Sequence, residues 1–412
     1  FYWGCNSITP IWGAELDPET MHQHHEPVEL IEGHPEKYGY ERFGEDHSLP
    51  VISFEKAEEL MREMKRKQGK SEELTDEEKT FARMLLTHRP FIEGAWMTKH
   101  NGRYYLQYAC PGTEFNIYGD ASLLKEAQNV LTDLESEVSV TDPDSEIYKI
   151  NQDGTGTLTG NAGDLMQEAL EMCRRTDGAL DISVYPIVRA WGFTTEEYQV
   201  PEETEIESLL PLVDYTKIQY DTATGTVSIP KGMTIDLGSI AKGYGGQLAA
   251  QLLREKGVTS ALLNLGGNVQ AIGSKPDGSP WQVGIQDPTG DTPMMVLSVS
   301  DQADITPGGY ERYFEQDGKT YWHIMDPSTG HPADSGLCSV TVVGKDGGIC
   351  DALSTSLFVM GLEKAAALWQ QSNDFEAVFV TDSHEVYITE GLKDCFALTE
   401  DHADTNVKVL EK

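Results

Sequence analysis

Basic residues are scarce in this chain. Its 412 residues hold 31 Lys and Arg against 68 Asp and Glu, a formal net charge of −37. Nucleic acid and anionic lipid are repelled by such a surface, so a bare phosphate-backbone binder is excluded. A local anion site is still allowed, and a divalent cation becomes the natural companion of any anionic substrate. Long apolar runs are missing as well. None approaches about 18 residues, so no transmembrane helix is readable. The six cysteines, Cys5, Cys110, Cys173, Cys338, Cys350 and Cys395, form no CxxC or other tight metal spacing. Scattered through a chain this long, they read as buried thiols. The phosphate-loop pattern GxxxxGK(S/T) is absent, and so are internal repeats. What is present is a 39% hydrophobic content, enough for packed cores and too much for a disordered chain.

At roughly 100–200 residues per domain, the length suggests two or more domains. Charge supports a division. Residues 1–118 carry a net −8 and residues 119–412 a net −29, while seven of the eleven histidines precede residue 101. The first part mixes a short aromatic strand at FYWGC, a polar stretch from His22 to Leu49, and a charged helical stretch from Ser53 to Ala82. Phe54, Ala57, Leu60, Met61 and Met64 form one narrow stripe there. Residues 91–118 return to strands, with a hairpin signal at His100-Asn101-Gly102.

After Gly119 the texture is regular. Leu123, Leu124, Ala127, Val130 and Leu134 predict one helix face. Leu165, Met166, Ala169, Leu170 and Cys173 predict another, closed by Gly178, and Leu248, Ala249, Leu252 and Leu253 a third, closed by Gly257. A strand over 260–265 runs into Gly266-Gly267. Further strands are expected near 269–273, 281–286, 294–300 and 338–343, helices near 350–360 and 363–371, and a hairpin over 376–389. Helices and antiparallel strands are mixed, so the class is α+β.

Four segments carry chemistry. In TIDLGSIAKGYGG (234–246) a strand ends at Ile235, an acid and a glycine turn follow, and a helix opens with Lys242 in its first turns. Helix-start N–H groups beside a lysine suit a phosphate or pyrophosphate; an ordinary strand-to-helix turn reads the same way. NLGGN (264–268) pairs two glycines after an apolar strand, either a structural turn or a place for close backbone approach. In YWHIMDPSTGHP (321–332), His323 is expected on an apolar strand leading into a polar turn. In CDALST (350–355), Asp351 and Thr355 stand at i and i+4 and share one helix face. Asp351 either caps the helix or, with Thr355, presents oxygens to Mg²⁺, which takes few protein oxygens together with phosphates.

These motifs, in this order, with TDPDSEIYKIN (141–151) and RTDGALDISVYPIVRAWGF (175–193), resemble the ApbE family of FAD:protein FMN transferases over about residues 119–400. The resemblance implies an α+β domain of mixed helices and antiparallel sheet. It implies Mg²⁺-dependent transfer of FMN from FAD to a Thr or Ser of an acceptor protein, releasing AMP. A subunit of a membrane redox complex is one such acceptor. It further implies that Asp236 and Lys242 contact FAD, that Ala179, Leu180 and Asp181 line the flavin site, and that Ile324 touches FAD. His323 would stand near the pyrophosphate as an acid/base or charge stabiliser, with Asp351 as its catalytic companion. Ser239 through its backbone carbonyl, Asp351 and Thr355 would be the metal ligands. An FAD pyrophosphatase yielding FMN and AMP would use the same residues. The family is mostly extracytoplasmic, often lipid-anchored. One departure from its pattern is TPGGYER (306–312), where Pro307 removes a hydroxyl and an N–H.

The first 118 residues resemble internal segments of glycoside hydrolase family 43, a five-bladed propeller, with Glu93 at the general-acid position. The partner carboxylates that an inverting mechanism needs are not recognisable. About 120 residues are also too few to close a propeller. The expectation is an inactive, incomplete propeller-like fragment over 1–118 and the transferase-like domain over 119–412.

Overall fold

The computed structural model describes residues 2–3, 11–13, 28–31, 54–67, 73–75, 79, 93–100, 103–109, 114–117, 122–195, 197–290, 292–306, 313–316 and 318–412. The chain falls into two units, Phe1–Asn116 and Ile117–Lys412. In the first, short strands Tyr2–Trp3, Ile11–Gly13 and Val28–Ile31 pair antiparallel. A helix spans Phe54–Lys67. Strands Glu93–His100 and Arg103–Ala109 form the expected hairpin, with His100 opposite Arg103. The side chain of Glu93 and most of the remaining glycosidase-like segments lie outside the described residues, as does Pro307.

The second unit is built on one sheet with a core on each face. Its helices are α1 (Ser122–Val138), α2 (Glu146–Asp153), α3 (Gly160–Arg175), α4 (Tyr185–Ala190), α5 (Glu203–Leu209), α6 (Gly238–Glu255) and α7 (Gly347–Gln370). A small sheet joins β1 (Thr155–Thr157), β2 (Gln219–Asp221) and β3 (Thr226–Ser228). The central sheet contains, in spatial order, β17 (Val407–Leu410), β15 (Val386–Thr389), β14 (Phe375–Thr381), β13 (Leu337–Gly344), β8 (Ala303–Ile305), β5 (Asn268–Ile272) and β4 (Ala261–Asn264). Neighbours in this list run antiparallel except β15 and β17, which are parallel. A second antiparallel sheet joins β6 (Trp281–Gln286), β7 (Pro293–Val299) and β16 (Phe396–Leu398). Hairpins β9 (Tyr313–Gln316) with β10 (Lys319–Trp322) and β11 (Met325–Asp326) with β12 (His331–Pro332) complete the set.

Strand alternation explains the layers, since successive side chains point to opposite faces. Val340 and Val342 of β13, with Ala377 and Phe379 of β14, enter the core under the helices. Val343, Val378 and Val380 from the same strands enter a second core shared with Trp281, Ile285, Met295 and Leu297. Helix ends follow local chemistry. Ser145 caps α2 by accepting the Tyr148 N–H at 2.9 Å. Gly178, at φ +79°, closes α3 by donating to Cys173 O, the left-handed glycine end that its sequence announces. Arg175, in the last turn of α3, forks onto Asp374 at 2.7 and 2.6 Å and ties the helix to the start of β14. The helical pattern over 350–371 is two segments meeting at Gly361, whose φ of 73° and ψ of 167° are non-helical.

The tightest packing is between α6 and α7. A Cβ on Gly243 would overlap Gly347 O and the side chain of Asp351, and one on Gly347 would overlap the Gln270 amide and Gly243 O. Two glycines therefore set the distance between the helices. Gly243→Ala is expected to lower stability by about 1–3 kcal/mol through overpacking, read as a shift of the urea midpoint at constant m. Gly257→Ala, where a Cβ meets nothing within 4 Å but φ is +85°, should cost only about 1 kcal/mol.

Asp304 lies on β8 opposite Val343 and so faces the second core, 2% exposed. Burial pushes its carboxyl up to about 7. The folded chain thus holds a proton there that the unfolded chain releases near pH 4. This contribution to stability is complete below pH 4 and is lost as pH rises to about 7. Asp304→Asn should raise the melting temperature more at pH 8 than at pH 5; an equal change at both would contradict the assignment.

Candidate functional site

Residues of three of the four motifs meet near the start of α6. The segment leading into α6 is expected as a strand ending at Ile235, but it pairs with no strand. Its backbone is held by a side chain instead: Asn151 Nδ2 donates to Ile235 O at 2.8 Å, and its Oδ1 accepts the Ile235 N–H at 2.7 Å. Main-chain groups need partners, and an asparagine offers the same donor and acceptor as a strand edge. Next, the Asp236 N–H donates to Ile182 O at 2.8 Å, and Asp236 Oδ1 accepts the Gly238 N–H at 2.8 Å. These bonds set the 179–182 loop beside the start of α6.

Inside that loop the three residues differ in what they present. Leu180 is 2% exposed and belongs to the main core. Asp181 directs its carboxylate inward: Oδ1 accepts from the Ser183 N–H and hydroxyl at 2.8 and 2.6 Å, and Oδ2 from the Tyr215 N–H at 3.0 Å. Burial outweighs these bonds and raises its carboxyl above the ordinary range. Ala179 is half-buried.

Ser239 occupies the first turn of α6. Lys242 follows one turn later, exposed, with Nζ donating to Gly266 O at 2.9 Å. The Gly266-Gly267 pair has φ of 57° and 74°, so NLGGN is a turn that offers its carbonyl to the lysine. Asp351 lies within α7, 7% exposed, and its Oδ2 accepts the Gly243 N–H at 2.7 Å. The capping role is filled by Asp346, whose Oδ1 accepts the Ile349 N–H at 3.0 Å while Oδ2 accepts Gln247 Nε2 at 3.0 Å. Thr355 is half-buried one turn beyond Asp351 on the same face of α7. Ser239 and Lys242 on α6, and Asp351 and Thr355 on α7, thus lie on the two helices that the Gly243–Asp351 bond joins.

His323 is not on a strand. It occupies a bend between β10 and β11, half-buried, with its ring edge-on to Phe193 at 6.3 Å. The Asp326 side chain accepts from the Ser328 N–H and hydroxyl, which turns the chain back at once and leaves β11 only two residues. Ile324 is 3% exposed, and its carbonyl accepts the Ala333 N–H. Phe193 belongs to an aromatic group with Trp191, Phe314 and Tyr321, in which Phe314 and Tyr321 stack at 5.1 Å.

Glu168 of α3 was invisible as a site neighbour in the sequence. Its Oε1 is buried against Gly348, and burial, with the charges of Asp346 and Glu171, pushes it up to about 7. Asn151 and Asp346 were also missed, although an Asp just before a Gly-Gly helix start is a readable cap. Among the described residues, no group of three or more His, Cys, Asp and Glu side chains is arranged to hold a metal. The donors that do gather are one carboxylate, hydroxyls and backbone carbonyls. That set suits Mg²⁺, which keeps much of its coordination for water and phosphate. An open groove of about 820 Å³ beside β2 and β3, lined by Gln167, Arg174 and Tyr220 among others, contains none of these residues.

Comparison with known proteins points the same way. The model of the ApbE family matches residues 106–379. An FAD:protein FMN transferase of Klebsiella pneumoniae is 33% identical over 276 residues, covering 66% of this chain and 85% of that protein. One from Vibrio cholerae is 31% identical over 311 residues, 72% of this chain and 89% of the relative. Among solved structures, the ApbE protein of Thermotoga maritima superposes with a TM-score of 0.65 at 30% identity, covering 73% of this chain and 98% of its own. The flavin transferase ApbE of Vibrio cholerae gives 0.62 at 28%, with coverage of 74% and 99%.

Asp346→Ala removes a cap and leaves the Gln247 amide without its acceptor. The expected loss is about 1–2 kcal/mol, measured by chemical denaturation.

Proposed function

The chain belongs to the ApbE family and is an FAD:protein FMN transferase; from that premise we propose how its residues divide the work. FMN passes from FAD to a Thr or Ser hydroxyl of an acceptor protein, with AMP as the leaving group. The new bond joins the hydroxyl oxygen to the FMN phosphorus. The bond that breaks is the one from that phosphorus to the oxygen kept by AMP. The hydroxyl proton goes to His323, whose ring meets Phe193 edge-on.

The observation that carries the reading is the hydrogen bond from the Gly243 N–H to Asp351 Oδ2 at 2.7 Å. It fixes the α7 carboxylate at the beginning of α6, beside Ser239 and Lys242. Ser239 through its carbonyl, Asp351 and Thr355 would hold Mg²⁺, which when bound offsets the charge of a diphosphate. Lys242 supplies a point cation, oriented by Gly266 O. Asp236 orders the first turn and faces FAD. Because the side chains of Leu180 and Ile324 are in the core, their contacts to FAD run through backbone atoms. Ala179 lies against the flavin, and Asp181 holds the loop that presents it. The transferase domain is residues 119–412, with 1–118 as a separate appendage.

Asp351→Asn separates the roles of this carboxylate. Its Oδ1 can still accept the Gly243 N–H, so the fold should persist, while FMN transfer in FAD and Mg²⁺ falls on the order of 10²-fold or more. The readout is covalent flavin fluorescence on a denatured acceptor band. Wild-type transfer by this variant would sink the metal assignment. Release of free FMN without an acceptor would instead mark an FAD pyrophosphatase.

A further inference from the structure

One cation next to this site has no role in the reading above. Arg189 is in the last turn of a short helix, α4, that starts at Tyr185 (an i, i+4 pair on one face). Its guanidinium lies over the Tyr185 ring at 5.9 Å. Arg189 is exposed. Among the described residues it makes no side-chain hydrogen bond and no ion pair, in a chain where carboxylates outnumber cations by more than two to one.

Its neighbours locate it. Ile182 O accepts the Asp236 N–H, so α4 starts three residues from the loop that abuts Asp236. The Tyr185 phenol feels both charges: Asp236 raises it and Arg189 lowers it, beneath the larger effect of burial. In the other direction, Phe193 follows Arg189 by four residues and meets the His323 ring edge-on at 6.3 Å. The segment 185–193 thus spans from Asp236, on the FAD side, to His323, on the transfer side. Arg189 belongs to that segment and is held by an aromatic ring, with no carboxylate partner among the described residues.

We propose that Arg189 is a substrate-binding residue that recognises the diphosphate of FAD. This rests on the flavin-transfer reading and extends it to a residue of the segment between the Asp236 loop and Phe193. A guanidinium presents paired donors that match two phosphate oxygens, and stacking on Tyr185 pre-orders it. In a chain of net charge −37, an arginine with no carboxylate partner among the described residues supplies local attraction that the overall charge does not.

The test measures binding of FAD, FMN, AMP and riboflavin to the full chain and to Arg189→Gln and Arg189→Lys, with Mg²⁺ present. Arg189→Gln should weaken FAD binding roughly tenfold or more and flatten its dependence on salt. Riboflavin, which has no phosphate, should bind within about twofold of wild type. Arg189→Lys should recover part of the loss. Whichever of FMN and AMP weakens with FAD identifies the phosphate that is read. Unchanged FAD affinity in Arg189→Gln, or an equal loss for riboflavin, would overturn the proposal while leaving flavin transfer intact. A wild-type chain that fails to bind FAD would overturn the flavin-transfer reading itself, and this one with it. An unaltered melting temperature of the ligand-free variant confirms that binding, not folding, is being read.

Discussion

The candidate site of this chain depends on the distance between two helices. Gly243 of α6 and Gly347 of α7 meet with no room for a side chain. At that separation, and only there, the Asp351 carboxylate reaches the Gly243 N–H. The bond connects a helix interior to a helix beginning. It gives the Gly243 N–H a charged acceptor in a nearly closed environment, where such bonds are strong. Ser239 and Lys242 on one helix and Thr355 on the other are carried into range as a consequence. Larger residues at either glycine would part the helices and disperse the group.

The sheet beneath serves as a wall with two faces. Alternate residues of β13 and β14 supply the core under the helices and the second core under β6, β7 and β16. A wall packed on both sides resists bending, so the loops at its edge begin from fixed positions. The 179–182 loop gains further definition from the Asp181 carboxylate, which accepts three bonds from its own neighbourhood. The aromatic group around Trp191 does the same for the bend that carries His323.

Charge creates the opposing demand. A protein of net charge −37 that handles a diphosphate needs attraction that is local and close. The structure provides Lys242 directed by Gly266 O and a helix beginning; in the proposed reading Mg²⁺ adds the rest. The acids behind the crossing are partly relieved by proton uptake. Glu168, near Asp346 and Glu171, is pushed up to about 7 by burial and by those charges, so at neutral pH it carries less than a full negative charge beside the start of α7.

Much of the fold was legible in the residues. The helix faces over 122–138, 160–175 and 238–255, the glycine ends at 178 and 257, and the strand at 281–286 follow from periodicity and local turn chemistry, which act within a few residues. Motif order also pointed to the family that the comparisons then established. Other features needed the folded chain. Asp351 could cap a helix or face a site, and nothing local distinguishes these; Asp346 took the cap because it stands at the helix start, and Asp351 was directed elsewhere by α6. Ile235 looked like a strand end, yet its partner is an asparagine 84 residues away. His323 looked like a strand residue but lies in a bend between β10 and β11. Composition and short-range pattern thus determined which segments are helical, where they stop and which kind of chemistry the motifs suit. Which carboxylate caps, which binds across the crossing and which stays buried was decided by tertiary structure, because those roles depend on contacts between segments distant in sequence.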